Sequence, residues 1–438
     1  MRAIMVVYTN KSRRGPSLKG HCSARSCQID RMEKQHTNIL ILGGGLGGYE
    51  TYRFLAHGLK RAGLKQTITV IDQNNYFTFT PMLHEVATGV VEPSHCAIPL
   101  RALISAPHQF VRAKVGNLNP IKKEVTTSAG TFSYDYVVAA LGSAVNYFKT
   151  PGAAEYSHNV RTLPAAMKLQ EAIIDLLEND QEQIHFTVVG GSYTGVEVAG
   201  QLTHFVESDI RKLYPHKKIT INLVQAADSL VPILPTKTRQ FIQKSLEKKK
   251  VTIFLNSRAT AVTKNSVTLA DNTVINSDLV VWAAGFENTG VCYLSQEFCE
   301  QGRIPVNNFL QHLQFPNVYA VGDIMLAKDE AGLPYPQLGE AAHKAGQYVA
   351  KHLISVLRAK KSPPAFHFKS VGTILPLGNW QAVAQFGPLF ISGPFAWWLR
   401  RTAYLLFIPG LARKFKIMLD WTLHRFTHRY IIDLGKEE

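Results

Sequence analysis

Cysteine is scarce in this chain: Cys22, Cys27, Cys96, Cys292 and Cys299 are the only five in 438 residues. No two form a Cys-x-x-Cys pair, and none stands at zinc-ligand spacing from a histidine. The pattern predicts scattered reduced thiols and no metal site, and it argues against a thiol redox centre. Acids are also in deficit, 32 against 48 lysines and arginines, for a net charge of +16. Long apolar runs are missing. A spanning helix needs about 20 apolar residues, and the longest apolar tail segment, 403–412, falls well short and follows Arg400 and Arg401. A transmembrane pump is therefore excluded. No secretory apolar region precedes the first strand, so export is not expected.

What the chain does have is apolar sequence, 46%, enough to fill two or three domains. Its positive charge is concentrated at the two ends. Residues 1–31 carry Arg2, Lys11, Arg13, Arg14, Lys19, Arg25 and Arg31 against one acid, Asp30. Two readings of the 1–35 extension stay open: an organelle transit peptide, or a start assigned upstream of Met32. A basic excess suits nucleic acid, anionic lipid or an anionic substrate. Two phosphate loops weigh against nucleic acid.

The first loop follows a short apolar run, 36–42, read as a buried parallel strand. Gly43-Gly44-Gly45-Leu46-Gly47-Gly48 matches G-x-G-x-x-G; helix-compatible sequence then runs to about Arg61, and a second strand, 67–72, ends in Asp72. Gly43 permits a tight turn, and Gly45 lets the backbone approach a pyrophosphate at the helix N-terminus. Gly48 lets helix and strand pack closely, and Asp72 would bond a ribose hydroxyl.

The same order recurs. Strand 183–189 leads into Gly190-Gly191-Ser192-Tyr193-Thr194-Gly195, a helix over 196–202 and a strand over 219–225. Ser192 replaces the middle glycine and offers its hydroxyl to a phosphate. This strand ends in Gln225, where an acid would repel the 2′-phosphate of NADPH. Glutamine either removes that repulsion or bonds the ribose hydroxyl as an acid would, so NADH and NADPH both stay open. Two dinucleotide sites predict FAD on the first and NADH or NADPH, as substrate, on the second. Strand-like runs ending in small residues, 134–143 with Gly142 and 278–286 with Gly285, follow the two units, and 317–323 ends in Gly322-Asp323. Gly142 and Gly285 are assigned to cofactor binding on that pattern.

More specific stretches are Asn75-Tyr76-Phe77-Thr78-Phe79-Thr80-Pro81-Met82-Leu83-His84-Glu85-Val86-Ala87-Thr88-Gly89, Asn146-Tyr147-Phe148, Thr194-Gly195-Val196-Glu197 and Val321-Gly322-Asp323. With the two loops, they make residues 36–430 resemble the type II NADH:quinone dehydrogenases, a branch of the disulfide-reductase-like flavoproteins. The resemblance implies non-covalent FAD, oxidation of NAD(P)H and reduction of a membrane quinone without proton pumping. It places Thr80 and Pro81 near the flavin, Gly322 and Asp323 at its phosphate or ribityl region, and Glu197 at the flavin–nicotinamide junction. Glu197 also reads as an ordinary acid in a helix's first turn. Where the family carries Ala-Gln-x-Ala-x-Gln-Gln-Gly along its quinone channel, this chain has Gly339-Glu340-Ala341-Ala342-His343-Lys344-Ala345-Gly346. Glu340 and His343 are candidate proton donors to a reduced quinone; a solvated helix face is the alternative for His343 and Lys344.

The tail interleaves Phe395, Trp397, Trp398, Tyr404, Phe407, Phe415, Trp421, Phe426 and Tyr430 with Arg400, Arg401, Arg413, Lys414, Lys416, Arg425 and Arg429, and Pro409-Gly410 divides it into two helices. Amphipathic helices of this kind suit a bilayer interface with anionic lipid. A homodimer interface or core helices are the alternative use. The expected architecture is α/β, with two Rossmann-like dinucleotide-binding domains and a C-terminal amphipathic membrane-anchoring segment. The FAD domain spans 36–150 and 300–375, the NAD(P)H domain 151–299, and the membrane-associated region 376–438. Residues 371–390 are expected to finish a sheet over the flavin domain. The expected location is peripheral, on the cytoplasmic face of a bacterial inner membrane or on a mitochondrial or other organelle membrane. Two other functions fit the same motifs: an NADPH-dependent reductase of a biosynthetic naphthoquinone or other acceptor, and a non-catalytic membrane-associated FAD-binding protein.

Overall fold

The computed structural model describes residues 37–288, 296–423, 427 and 429. The N-terminal extension, Cys22, Cys27, Cys292, Arg425, Phe426 and Tyr430 lie outside the described residues. In chain order the first unit comprises β1 (Thr37–Leu42), α1 (Leu46–Ala62), β2 (Ile68–Asp72), the single turn α2 (Leu83–Val86), β3 (Gln109–Arg112), β4 (Val115–Asn119), β5 (Glu124–Thr127) and β6 (Gly130–Ala139). The second comprises α3 (Leu163–Glu178), β7 (Gln183–Val189), α4 (Tyr193–Phe205), β8 (Lys218–Val224), β9 (Val251–Phe254) and β10 (Leu279–Trp282). The chain then runs through β11 (Val318–Ala320), α5 (Gly339–Leu357), β12 (Thr373–Pro376), β13 (Ala382–Phe386), β14 (Leu389–Gly393), α6 (Pro394–Phe407) and α7 (Leu411–Leu423).

Two parallel sheets carry the two glycine loops. In the first, the order is β3-β2-β1-β6, with β11 pairing parallel to β6. The long β6 pairs with β5 through residues 130–133 and with β1 through residues 134–139. Ile39, Leu40, Ile41 and Leu42 are fully buried, as a strand covered on both faces requires. Packing here is backbone to backbone. A Cβ on Gly346 of α5 would lie 2.6 Å from the Gly47 carbonyl oxygen of α1, so these helices meet closely. The second sheet is also parallel, in the order Ser157–His158, β10, β7, β8, β9.

The segment 371–390 behaves differently from expectation. It enters a separate antiparallel sheet, β12-β13-β14, packed against α4, the helix of the second loop, and against α6. Glycine explains the choice of partner. A Cβ at Gly200 of α4 would lie 2.7 Å from the Leu377 carbonyl carbon, and Gly378 (φ 72°) approaches the Gly200 oxygen in return.

The tail forms the two helices expected, α6 and α7, with Gly410 at φ 89° between them. Their apolar side chains remain partly outside: Leu406 is 74% exposed, Leu411 83% and Phe415 62%. The tail's basic residues divide. Lys416 is exposed, but Arg400 and Arg429 are buried and cannot serve anionic lipid. Arg400 Nη1 donates to Glu85 Oε1 of α2 at 2.5 Å, and Trp421 Nε1 of α7 donates to Glu85 Oε2 at 2.7 Å. Arg401 lies over the Trp397 and Trp421 rings. Arg429 Nε pairs with Asp209 Oδ2 at 3.0 Å. The physical reason is the reach of arginine: its stem crosses an apolar helix face and puts the guanidinium against buried carboxylates.

Breaking one partner of a buried pair leaves an uncompensated charge, at a cost of about 3–5 kcal/mol. Arg400→Met is therefore expected to destabilise the fold by about that amount in denaturant titrations. Lys416→Met, on the exposed face, is expected to change stability by less than about 0.5 kcal/mol.

Candidate active site

The first loop is shaped for a phosphate. Gly43 sits at φ 103°, and a Cβ there would meet the Ala140 carbonyl oxygen at 2.3 Å. A Cβ on Gly48 would lie 1.9 Å from the Gly43 oxygen, and one on Gly47 3.1 Å from Val321 Cγ2. Gly45 is the exception: nothing lies within 4 Å of its Cβ position. Gly45 is also the N-cap of α1 and brings no capping side chain, so the amides of the first turn have no acceptor from the cap. An open face in front of free helix N–H groups fits a dinucleotide pyrophosphate. Asp72 closes the loop from the strand end. Its Oδ2 accepts from Gly44 N at 2.6 Å and its Oδ1 from Asn74 N at 2.7 Å. Burial raises its pKa against those two bonds.

The second loop repeats the plan with different side chains. A Cβ on Gly195 would lie 1.7 Å from the Gly190 oxygen, and Gly190 takes φ 111°. Gln225 occupies the place of Asp72: its Oε1 accepts from Gly191 N at 3.0 Å, and its Nε2 donates to the Ser229 carbonyl at 3.1 Å. Ser192 does not hold its hydroxyl out for a phosphate. The hydroxyl donates to the Ala283 carbonyl at 2.9 Å and accepts from Gly195 N at 3.4 Å as the cap of α4. A capping serine must turn toward its own helix, and that direction is inward.

Two polar clusters hold the remaining candidates. In one, Asp323 Oδ2 accepts from Arg161 Nη2 at 2.6 Å and from Ser143 Oγ at 2.8 Å. With its amide oxygen accepting from Gln337 Nε2 at 3.0 Å, Asn288 donates to the carbonyls of Asp323 and Gly142, both at 3.2 Å. Gly322 (φ 73°) turns the chain into this cluster. Gly285 packs against the Phe148 ring, and its carbonyl accepts from Asn146 N at 3.1 Å. Thr80 and Pro81 begin a short 3-10 turn leading into α2, with Thr80 exposed.

In the other cluster, α2, α4 and α6 meet around Glu197. Arg400 Nη2 lies 3.0 Å from His84 Nε2. A guanidinium only donates, so Nε2 accepts and the imidazole proton sits on Nδ1, which faces Glu197 Oε2 at 3.8 Å. Burial first, then Arg400, lowers His84 to about 3, leaving it neutral. Burial pushes Glu85 up, but Arg400 and His84 pull it down to about 2. Burial lifts Glu197 to about 7, with Arg400 opposing and Glu85 assisting. Glu197 is thus the carboxyl in this cluster that changes charge near neutrality.

Glu340 and His343 share the first turns of α5 but point to different partners. Glu340 pairs with Lys344 Nζ at 2.7 Å and accepts from Val371 N at 2.9 Å and Ser370 Oγ at 2.8 Å. Burial would raise its pKa, but these partners carry it below the ordinary value. His343 turns toward α1, its Nδ1 3.4 Å from Glu50 Oε2, with Phe407 of α6 edge-on to its ring. Arg53 holds Glu50 through two bonds, at 2.6 and 3.2 Å.

Sequence reasoning missed Arg161, Ser143, Glu50 and the inward turn of Arg400. The signal for Arg400 was faint: a basic pair in an apolar helix, with Glu85 315 residues away. The expectation of scattered reduced thiols also needs correction. Cys299 is disulfide-bonded; its sulfur partner lies outside the described residues. Cys96 is buried, and burial, then Glu85 and Asp420, push its thiol far above the usual range. Among the described residues no group of His, Cys, Asp and Glu could hold a metal.

Two outcomes follow from this geometry. Gly45→Ala adds a methyl only to open space, so its thermal stability without cofactor should stay within about 0.5 kcal/mol of wild type. FAD retention on gel filtration should fall. Gly48→Ala should instead destabilise the chain by about 3 kcal/mol or more through overpacking. Glu197 has a folded pKa above its unfolded value, so it carries no penalty below pH 4.5, where both states are protonated, and its full penalty above about 7. Its ionisation costs stability progressively as pH rises from 4.5 to about 7. Glu197→Gln should accordingly raise the melting temperature at pH 8 and leave it unchanged at pH 4, reflecting a relief of about 3 kcal/mol.

The model of the pyridine nucleotide-disulphide oxidoreductase family matches residues 37–347. The type II NADH:quinone oxidoreductase Ndh of Mycobacterium tuberculosis is 28% identical over 420 residues, covering 88% of this chain and 87% of its own. The demethylphylloquinone reductase NdbB of a Synechocystis species is 29% identical over 403 residues, covering 89% and 96%. The structure of NDH2 from Plasmodium falciparum in complex with NADH superposes with a TM-score of 0.81 at 20% identity, covering 91% of this chain and all of that one. Two loop-bearing parallel sheets, a shared pattern of strand-end caps and a family match across most of its length lead to one conclusion: the chain belongs to the pyridine nucleotide-disulphide oxidoreductase family.

Proposed function

We propose that the chain oxidises NAD(P)H and reduces a quinone at a membrane surface, with FAD as its resident cofactor and without proton pumping. The observation that carries this reading is the repeated loop: two phosphate-shaped glycine turns, each braced from the end of the following strand. One turn leaves a cradle at Gly45 that a Cβ would fill. The names of the mycobacterial and cyanobacterial relatives support the donor and the acceptor class.

The chemistry FAD supplies when bound is two-electron exchange between nicotinamide and acceptor. The loop Gly43 to Gly48, Asp72, Thr80, Pro81, Gly142, Gly322 and Asp323 would hold it. The loop Gly190 to Gly195, Gln225 and Gly285 would hold the nucleotide donor. The reaction is NAD(P)H + H⁺ + quinone → NAD(P)⁺ + quinol. The hydride carries one hydrogen, so one proton must come from solvent through the protein. Glu197, poised near 7, is placed to exchange a proton beside the second-loop helix. Among the two α5 candidates, Glu340 is committed as a carboxylate to Lys344, which leaves His343, backed by Glu50, as the proton carrier.

The exposed apolar side chains of α6 and α7 are the proposed membrane contact, with anionic lipid attracted by Lys416 and its basic neighbours rather than by Arg400 or Arg429. No described helix is long and apolar enough to cross a membrane. A peripheral enzyme on a bacterial inner membrane or an organelle membrane fits this surface. A naphthoquinone acceptor is the second reading, favoured by the name of the cyanobacterial relative.

The purified protein should be yellow and should bleach anaerobically on adding NADH or NADPH. Oxidised colour should return with a short-chain ubiquinone or naphthoquinone, and the rate should rise with anionic vesicles. Absence of bleaching by either nucleotide would sink the reading. Vesicles that leave both rate and sedimentation unchanged, alongside a dimer on gel filtration, would reassign the tail face to a homodimer.

A further inference from the structure

We infer that the second nucleotide site is built for a donor bearing a 2′-phosphate, NADPH, and that Arg239 receives that phosphate; this rests on the NAD(P)H-oxidising reading above. The starting point is what Gln225 is forced to be. Its Oε1 accepts from Gly191 N and its Nε2 donates to the Ser229 carbonyl. A carboxylate at this place would set its second oxygen against that carbonyl. At the first loop the corresponding second oxygen, Asp72 Oδ1, faces an amide donor instead, Asn74 N. The backbone after β8 therefore selects a neutral donor–acceptor side chain, and the strand end itself carries no negative charge against a 2′-phosphate.

A positive charge stands next to the same turn. Ser229, Leu230 and Val231 wrap the loop: Val231 N donates to the Gly191 carbonyl at 2.8 Å, and Leu230 packs on Gly191. Arg239, on the helix Thr236–Lys248, donates from Nη1 to Ser229 Oγ at 2.6 Å and from Nη2 to Thr236 Oγ1 at 3.0 Å. Among the described residues no carboxylate pairs with Arg239 directly. Asp228, the acid of this turn, is exposed and meets Arg239 through the Ser229 hydroxyl. A guanidinium held by two neutral hydroxyls is positioned but not neutralised. A phosphate oxygen makes a stronger, charge-assisted bond in place of a hydroxyl. Gln225 and Arg239 both contact Ser229, so the ribose end of a nucleotide on this loop lies within reach of the guanidinium.

The test uses the full chain. Adenosine 2′,5′-bisphosphate and 5′-AMP differ by the 2′-phosphate alone, and their binding is compared by calorimetry. Wild type should bind the bisphosphate at least about tenfold more tightly. Arg239→Met should remove that preference and lower the ratio of kcat/KM for NADPH to that for NADH by about 10- to 100-fold. Gln225→Glu should lower the same ratio by adding the missing negative charge. Arg258→Met, an exposed arginine nearby, should leave the ratio unchanged. Equal binding of the two nucleotides to wild type overturns the inference while leaving NAD(P)H oxidation standing. A preference lost in Arg258→Met but kept in Arg239→Met overturns the residue assignment. Failure of both nucleotides to bleach the flavin strikes the functional reading instead, and the calorimetric preference is read independently of it.

Discussion

A guanidinium sealed from water needs an anion within reach, and Arg400 has Glu85. That contact joins chain segments 315 residues apart. It brings the tail helix α6 onto the turn α2, and α2 also packs on α4, the helix of the second nucleotide loop. Trp421 of α7 takes the other oxygen of the same carboxylate. The pair therefore fixes where the exposed apolar face of the tail sits relative to both loops. It also fixes charge states. Arg400 holds Glu85 ionised, burial with Arg400 behind it keeps His84 neutral, and the remaining acid, Glu197, absorbs the cost of burial as a raised pKa. The exposed apolar face of the tail and a titrating carboxyl on the second-loop helix thus hang on one buried ion pair.

The parts of this design that were legible in the sequence are the local ones. Gly48 and Gly195 are needed because a Cβ would strike the carbonyl of the glycine that opens the same loop, and Gly43 and Gly190 because each takes a positive φ, so the loop spacing itself exposes them. Strand, loop, helix and strand follow in order, and the apolar runs bracket them. Long-range partners leave no such trace. Nothing near Arg400 or Arg429 in the chain indicates that each turns inward, and their company of aromatic residues pointed to lipid. The β12-β13-β14 sheet was placed over the wrong unit for a similar reason: its docking on α4 depends on Gly200 meeting Gly378, two glycines with no sequence signal linking them. Ser192 shows the limit at short range. A serine in a phosphate loop and a serine capping a helix look identical in sequence, and only the position of the Ala283 carbonyl decides between them.

At the start of α5, Glu340 and Lys344 form an ion pair one helical turn apart where the family pattern has neutral amides. An amide can both donate and accept as a quinone is reduced. A paired carboxylate accepts only, and the paired ammonium donates only, so the two roles are divided between residues and tied to the 368–371 segment through Lys369, Ser370 and Val371. His343 lies on a different surface of α5, with its Nδ1 3.4 Å from Glu50 Oε2 of α1.

The two strand ends put the same division in its simplest form. Asp72 and Gln225 stand at equivalent positions and perform the same backbone task, each accepting from the second glycine of its loop. Neither can be replaced by an apolar residue without orphaning that N–H. Their difference lies in the second polar atom, which faces an amide donor at one site and a carbonyl at the other. Loop architecture demands an acceptor at both positions, and one neighbouring backbone group then decides whether it is charged. The turn after each strand, and not the glycine motif itself, thus sets the charge that each loop presents.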